Sequence, residues 1–337
     1  VYDPGNFDWG RIDLGNIDRR LLLRLGVVGL AGLGGGGVGL ACEGLNCQGL
    51  ARTQERTEDR PKGKPTRFQI ACMTLPYSQY PLARALAGIK AAGYQYVAWG
   101  TSHKEEGESN RVPVMAADAP PEKAKLLGQK CRDMGLAPVM MFSEIYPENP
   151  KALAVLTSRI KQAAAAGIGH VLTFGHTDAE NRKLWVERFK QLGPIARDHG
   201  VLIVAKQHGE TGEVTGQIVR EVADDNVLVN YDAGNVMDYT KGKVNPLDDI
   251  KTCVELIRSF CIKDHRLFPV DQDCGPGLGE IDHYRMLGNV AFTGLTMPLC
   301  CENISAPAIK ATKPEEIDAL AQRAREFLEL VVRGLQA

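Results

Sequence analysis

Between residues 67 and 337 a short apolar run and a longer amphipathic segment alternate eight times, a rhythm that few folds accommodate. The apolar runs are 68–73, 94–99, 137–142, 169–174, 201–207, 227–232, 258–263 and 296–302, each of strand length. Between and after them apolar residues recur at helical spacing over 82–92, 122–134, 150–166, 181–199, 216–223, 246–257, 281–287 and 314–335. A strand followed by a helix, many times over, implies parallel strands joined by crossover helices. Gly93, Gly135, Gly167 and Gly200 stand just before strands two to five, where a helix C-cap belongs. The roughly 270 positions from 67 to 337 suit a (β/α)8 barrel, which typically needs roughly 250. An open doubly wound sheet is the rival. It would carry Gly-x-Gly-x-x-Gly after its first strand, where this chain has Met73-Thr74-Leu75-Pro76-Tyr77. The expected fold class is therefore α/β, a (β/α)8 TIM barrel over 67–337, preceded by an N-terminal export signal and linker.

The N-terminal part breaks the rhythm. Arg19-Arg20-Leu21-Leu22-Leu23-Arg24 leads into a Gly-rich apolar stretch, 25–41, that resembles a twin-arginine export signal. Small residues at Gly39 and Ala41 suit cleavage after Ala41. Cys42 also invites a lipid anchor, although Gly39 stands where a lipobox carries Leu. A membrane anchor is the further alternative, and six glycines between 32 and 39 weaken it as a spanning helix. The expectation is a signal segment over 1–42, a flexible linker over 43–66 and an exported, periplasmic or cell-envelope protein with no stable membrane insertion once the signal is removed. With 40 Lys plus Arg against 41 Asp plus Glu, the chain lacks the basic excess that nucleic-acid binding normally requires. Its nine cysteines have no Cys-x-x-Cys spacing and read mostly as small buried hydrophobes.

Several polar residues each stop an apolar run. His208 follows VLIVAKQ, Asp232 follows NVLVNY, Lys263-Asp264-His265 follows FCI, and Glu302 follows LTMPLCC. In a barrel of parallel strands the reacting groups sit where strands end, so these side chains converge on one mouth. The loops 100–120, 208–215 and 266–280 fall on the same face and wall it. His103 and His176, after strands two and four, point to that face as well. Plainer roles compete: Asp232 as a cap of the Gly234-Asn235 turn, Glu302 as a solvated strand end, His208 as an exposed histidine, Cys261 as a core thiol, and Lys263-Asp264-His265 as an ion-paired run. Lys206 points by period-two alternation either into the mouth or toward the helices. His170, His199 and His283 read as helix-end or surface residues.

Four segments in order, Tyr231-Asp232-Ala233-Gly234-Asn235, Ile262-Lys263-Asp264, Gly275-Pro276-Gly277-Leu278-Gly279-Glu280-Ile281-Asp282 and Cys301-Glu302, resemble the xylose-isomerase-like barrel superfamily, the sugar phosphate isomerases and epimerases. The resemblance covers 67–337. It implies a divalent metal held by Glu, Asp, His and Glu from the ends of strands five to eight. Asp232 and Glu302 match the Asp and the final Glu, and Asn235 takes a place where many relatives have His. Lys206 stands where the strand-five Glu belongs, and Cys261 where the strand-seven His belongs. A metal would then use Asp232, His208 and Glu302, with Cys261 or His265 as fourth donor. That mixed set suits Mn, Zn or Co better than Mg.

The chemistry implied is proton abstraction next to a carbonyl through an enediolate, whose negative oxygens need a metal or an ammonium opposite them. Lys206 would be that ammonium, Glu302 ligand and acid/base, and His208 a second acid/base. Lys263, Asn235, His103 and His176 would bind substrate. Export favours a free or glycosidic sugar over a phosphorylated one. The alternatives are a keto-sugar lyase or hydratase, an imine enzyme using Lys206, and an exported sugar-binding barrel without catalysis. The oligomeric state is left open, and no nucleotide-binding loop is present.

Overall fold

The computed structural model describes residues 63–307 and 309–337, so the segment 1–42 and the linker up to 62 lie outside the described residues. Eight parallel strands close into a barrel: β1 (Arg67–Met73), β2 (Tyr96–Trp99), β3 (Ala137–Phe142), β4 (His170–Thr173), β5 (Leu202–Lys206), β6 (Val227–Tyr231), β7 (Ile257–Ile262) and β8 (Thr296–Cys301). The seam pairs the first strand with the last, from Arg67 opposite Thr296 to Cys72 opposite Cys301. Residues 63–66, read from sequence as linker, are tied to that seam: Thr66 is buried and donates its N–H to Ala291 O at 2.8 Å.

The helices around the barrel are α1 (Leu82–Ala91), α2 (Pro121–Asp133), α3 (Ala152–Ala166), α4 (Ala179–Asp198), α5 (Gly212–Val222), α6 (Ala233–Tyr239), α7 (Pro246–Asp249), α8 (His283–Gly288) and α9 (Pro314–Gln336). The α5 helix starts four residues before the expected 216 because Thr211 caps it, its side chain accepting from Val214 N. The helix expected over 246–257 instead breaks into α7 and two 3-10 turns, interrupted where Cys253 leaves helical geometry at φ −139°. Where the sequence predicts a Gly234-Asn235 turn capped by Asp232, the chain continues into helix α6 with Asp232 as its N-cap. The loops after β2 and β7 carry short antiparallel hairpins, Ser102–His103 with Val112–Pro113 and Asp264–Arg266 with Gln272–Cys274. No helix among the described residues is long and apolar enough to cross a membrane.

Two apolar clusters follow from strand alternation. One lies between strands and helices and includes Cys72, Ile203, Ala205, Tyr231 and Cys301. The other fills the barrel and includes Ala71, Met73, Met140, Leu172, Val204, Cys261 and Cys300. The phase decides where the site residues point. On β5, Ile203 and Ala205 face the helices, so Val204 and Lys206 face the barrel axis. The same alternation turns Cys261 and Lys263 inward on β7 and Cys300 and Glu302 inward on β8. The seven described cysteines are all buried and unpaired, as their apolar settings suggest.

Candidate active site

At the C-terminal mouth the inward stripes of β5 to β8 end in charge. Lys206 is 1 % exposed, and its ammonium lies 2.9 and 2.8 Å from the two carboxylate oxygens of Glu302. It is 3.4 Å from Asp232 Oδ2, and the rings of Phe174 and Phe142 flank it at 4.9 and 5.7 Å. Asp232 uses its other oxygen as the N-cap of α6, accepting from Asn235 N at 2.9 Å. Its Oδ2 has no hydrogen bond and faces Lys206 and, at 4.0 Å, Lys263. Lys263 is anchored from the other side by Asp273 at 2.8 Å. Gly234 makes room for its stem, because a Cβ there would come within 2.6 Å of Lys263 Cγ.

The charges set one another. Burial opposes ionisation of Glu302, but the Lys206 and Lys263 ammoniums overcome it and hold the carboxyl down at about 2. Burial likewise works against a charged Lys206, yet the carboxylates of Glu302 and Asp232 raise it above the ordinary lysine value. Burial pushes Asp232 up despite its two lysine neighbours, and pushes the Cys261 thiol well up.

An open cavity of about 530 Å³ adjoins this centre. Its polar side includes Lys263, Asp273, Glu302 and Asn303, and its apolar side includes Leu75 and Ile317.

The other sequence candidates scatter around this centre. His208 is half-buried among Phe174, Tyr239 and Tyr146, with ring centroids 4.7, 5.3 and 6.1 Å away. Its Nδ1 is buried without a partner; burial first, then Lys206 and His176, hold the imidazole below its ordinary value. His176 is exposed and pairs with Glu148 at 2.8 Å. Asn235 is buried, its amide donating to Gln207 O at 2.6 Å, which fixes the end of β5 against α6. His103 is buried under the first hairpin on Tyr80 O at 2.9 Å. His265 sits away from Asp232 and Glu302, with Nδ1 on Asp273 at 2.9 Å and Nε2 3.0 Å from Asp271.

His283 corrects the surface reading. It is 2 % exposed, and its ring bonds Ile281 O and Lys263 O at 3.0 and 3.3 Å, bracing the base of Lys263. The sequence reading missed Asp273 and Phe174. Asp273 lies mid-loop rather than at a strand end, and an aromatic at the end of β4 looks like ordinary core.

Two groups of potential metal ligands converge: Asp232 with Cys261 and Glu302, and Asp238 with His265 and Asp273. In the first, both Glu302 oxygens and the free Asp232 oxygen already face the Lys206 ammonium, so the residues present do not fit a divalent ion beside it. The second holds lysines on its carboxylates too, Lys241 on Asp238 at 2.9 Å and Lys263 on Asp273 at 2.8 Å.

Fold and site together define a (β/α)8 barrel with a charged, strand-end mouth. The chain belongs to the family described as xylose isomerase-like TIM barrel, whose model matches residues 86–329. Similar solved structures include a xylose isomerase domain protein from Planctomyces limnophilus, 14% identical with a TM-score of 0.59, covering 80% of this chain and 99% of its own. A xylose isomerase-like TIM barrel protein from Mycobacterium smegmatis in complex with magnesium is 18% identical, TM-score 0.62, covering 81% and 98%. An L-ribulose 3-epimerase is 15% identical, TM-score 0.58, covering 79% and 95%. No curated protein matches the chain.

Proposed function

We propose that the chain is a sugar isomerase or epimerase that takes a proton from the carbon next to a carbonyl and returns it after an enediolate, on a free or glycosidic sugar. The observation that carries this reading is the Glu302 carboxylate in the wall of an open cavity, held ionised by lysine ammoniums. The carboxylate is therefore ionised at neutral pH, the form a general base must start from. Of the cations that weaken it as a base, Lys263 lines the same cavity, where its charge would offset that loss by meeting the negative oxygens of an enediolate. Lys263, lining the cavity and steadied by Asp273 and His283, is placed to meet the carbonyl oxygen. His208, kept neutral near pH 7, is the second proton carrier in this reading.

Family membership and similar structures that include an L-ribulose 3-epimerase support the sugar class by analogy of fold. The export reading of 1–42 is the reason for choosing unphosphorylated sugars, and cell fractionation tests it.

The direct test incubates the full chain with ketoses and keto-glycosides in deuterated water and follows label at the carbon next to the carbonyl. Glu302→Gln is expected to slow uptake on the order of a hundredfold or more. Unchanged uptake in that variant sinks the proposal. An unsaturated product in place of an isomer would move the same proton abstraction to a lyase.

A further inference from the structure

We infer that the Lys206 ammonium is the resident cation of this mouth, standing where a metal-dependent barrel would hold a divalent ion, and that the Asp232–Cys261–Glu302 site excludes such an ion. The inference concerns the site itself and holds whichever reaction the cavity supports.

Position comes first. Lys206 continues the inward stripe of β5, so its stem runs along the barrel interior and only its tip reaches the carboxylates. A buried ammonium is stable only with opposite charge and hydrogen bonds around it. This one has both Glu302 oxygens at 2.8 and 2.9 Å, Asp232 at 3.4 Å, and two aromatic faces. These contacts occupy the carboxylate oxygens a metal would need.

Charge comes second. Three carboxylates, Asp232, Glu302 and Asp273, face two ammoniums, Lys206 and Lys263, so the lysines already offset most of the negative charge a metal would answer. A divalent ion added there would turn the cluster net positive and stand directly against the Lys206 ammonium, a penalty at the reduced dielectric of a buried site. The third donor, Cys261, is buried at 2 % exposure beside Asp232 and Glu302 and ligates only once its proton has left. Lys206 is packed in this place, its side chain 2 % exposed between the Phe174 and Phe142 rings.

The lysine therefore supplies a fixed charge with three directional donors, and the site would work in the presence of chelators. It would also be rebuilt by one substitution. A carboxylate at 206 removes the cation and adds an oxygen donor to Asp232, Cys261 and Glu302.

The experiment measures Mn2+ and Zn2+ on the purified full chain by calorimetry and by elemental mass spectrometry after desalting. Comparing wild type with Glu302→Gln isolates this site from the Asp238–His265–Asp273 group: equal metal in both supports the inference, and about one equivalent lost in the variant overturns it. Lys206→Glu is expected to gain about one equivalent over wild type and to melt higher when Mn2+ is added. Where three carboxylates prevent that variant from folding, Lys206→Gln removes the charge at similar volume and carries the same expectation. A folded Lys206 variant that gains no metal overturns the assigned role of the lysine. Because the readout is metal content and not turnover, failure here is separable from failure of the isomerase reading.

Discussion

Asp232 shows at the residue scale how one side chain serves fold and site together. Oδ1 caps α6, and Oδ2, without a hydrogen bond, faces two lysines. The sequence offered these as alternatives, and the geometry makes them simultaneous. Glu210 is a second carboxyl whose setting has a measurable consequence. It is 6 % exposed, and burial pushes it up to about 7 even though it accepts from His208 N and from Thr177 and Thr215. In the unfolded chain it titrates near the ordinary 4.5, so the folded state binds its proton more tightly. Stability from this group is complete below about pH 4.5 and is lost progressively as pH rises to about 7. Glu210→Gln keeps the shape without the titration. Relative to wild type it is expected to gain up to about 3 kcal/mol between pH 4.5 and pH 8. Urea unfolding at the two pH values measures this, and an equal difference at both would contradict it.

At the element scale, the strand ends were legible because a polar residue closing an apolar run is a local signal: Asp232, Lys263 and Glu302 could be named from it, whereas Lys206, inside its run, stood out only through the family resemblance. What they pair with was not. Lys206 and Glu302 are 96 residues apart, and only closure of the barrel brings them together. The loop devices were equally hidden. Gly279 is required because a Cβ there would lie 2.3 Å from Asp264 Oδ1, and Asp264 holds that loop by accepting from Gly277 N and Ile281 N.

A comparable clamp stands on α3, where Arg159, 2 % exposed, donates to Met115 O, Ser143 O and Gln162 and pairs with Glu144 at 2.6 Å. It fastens the loop after β2 to the end of β3. Arg159→Met leaves the buried Met115 and Ser143 carbonyls without their donor and the partly exposed Glu144 without its ion pair, and is expected to destabilise by about 2–4 kcal/mol. Hydrogen exchange should quicken first around 115–117 and 143–145. A loss under about 1 kcal/mol would show that these groups find water instead.

For the whole molecule, the question is whether the barrel opens at its seam or only all at once. β1 and β8 join through six residue pairs, and α9 covers the seam from outside. Leu328 on α9 is fully buried in the strand–helix core, and Tyr77 and Arg84 tie the same helix to the first βα unit through Asp318. Every strand needs both neighbours for its backbone hydrogen bonds, so an opened seam would leave two edges unpaired next to the apolar barrel interior. Exposing those edges and the interior favours unfolding as one unit over a stable opened form. Leu328→Ala, a cavity at the seam, is expected to lower stability by about 2–5 kcal/mol. The urea slope should stay unchanged, because the surface exposed on unfolding is the same. Trp185 on α4, between β4 and β5, lies across the ring from the seam, so in a Trp9→Phe and Trp99→Phe background its fluorescence reports a distant part of the barrel. Coincident fluorescence and circular dichroism curves in the variant are the expected outcome. A circular dichroism transition that precedes the fluorescence change would show that the seam and α9 release on their own. The charged mouth, which depends on β5 and β8 being held in one ring, would then come apart before the core does.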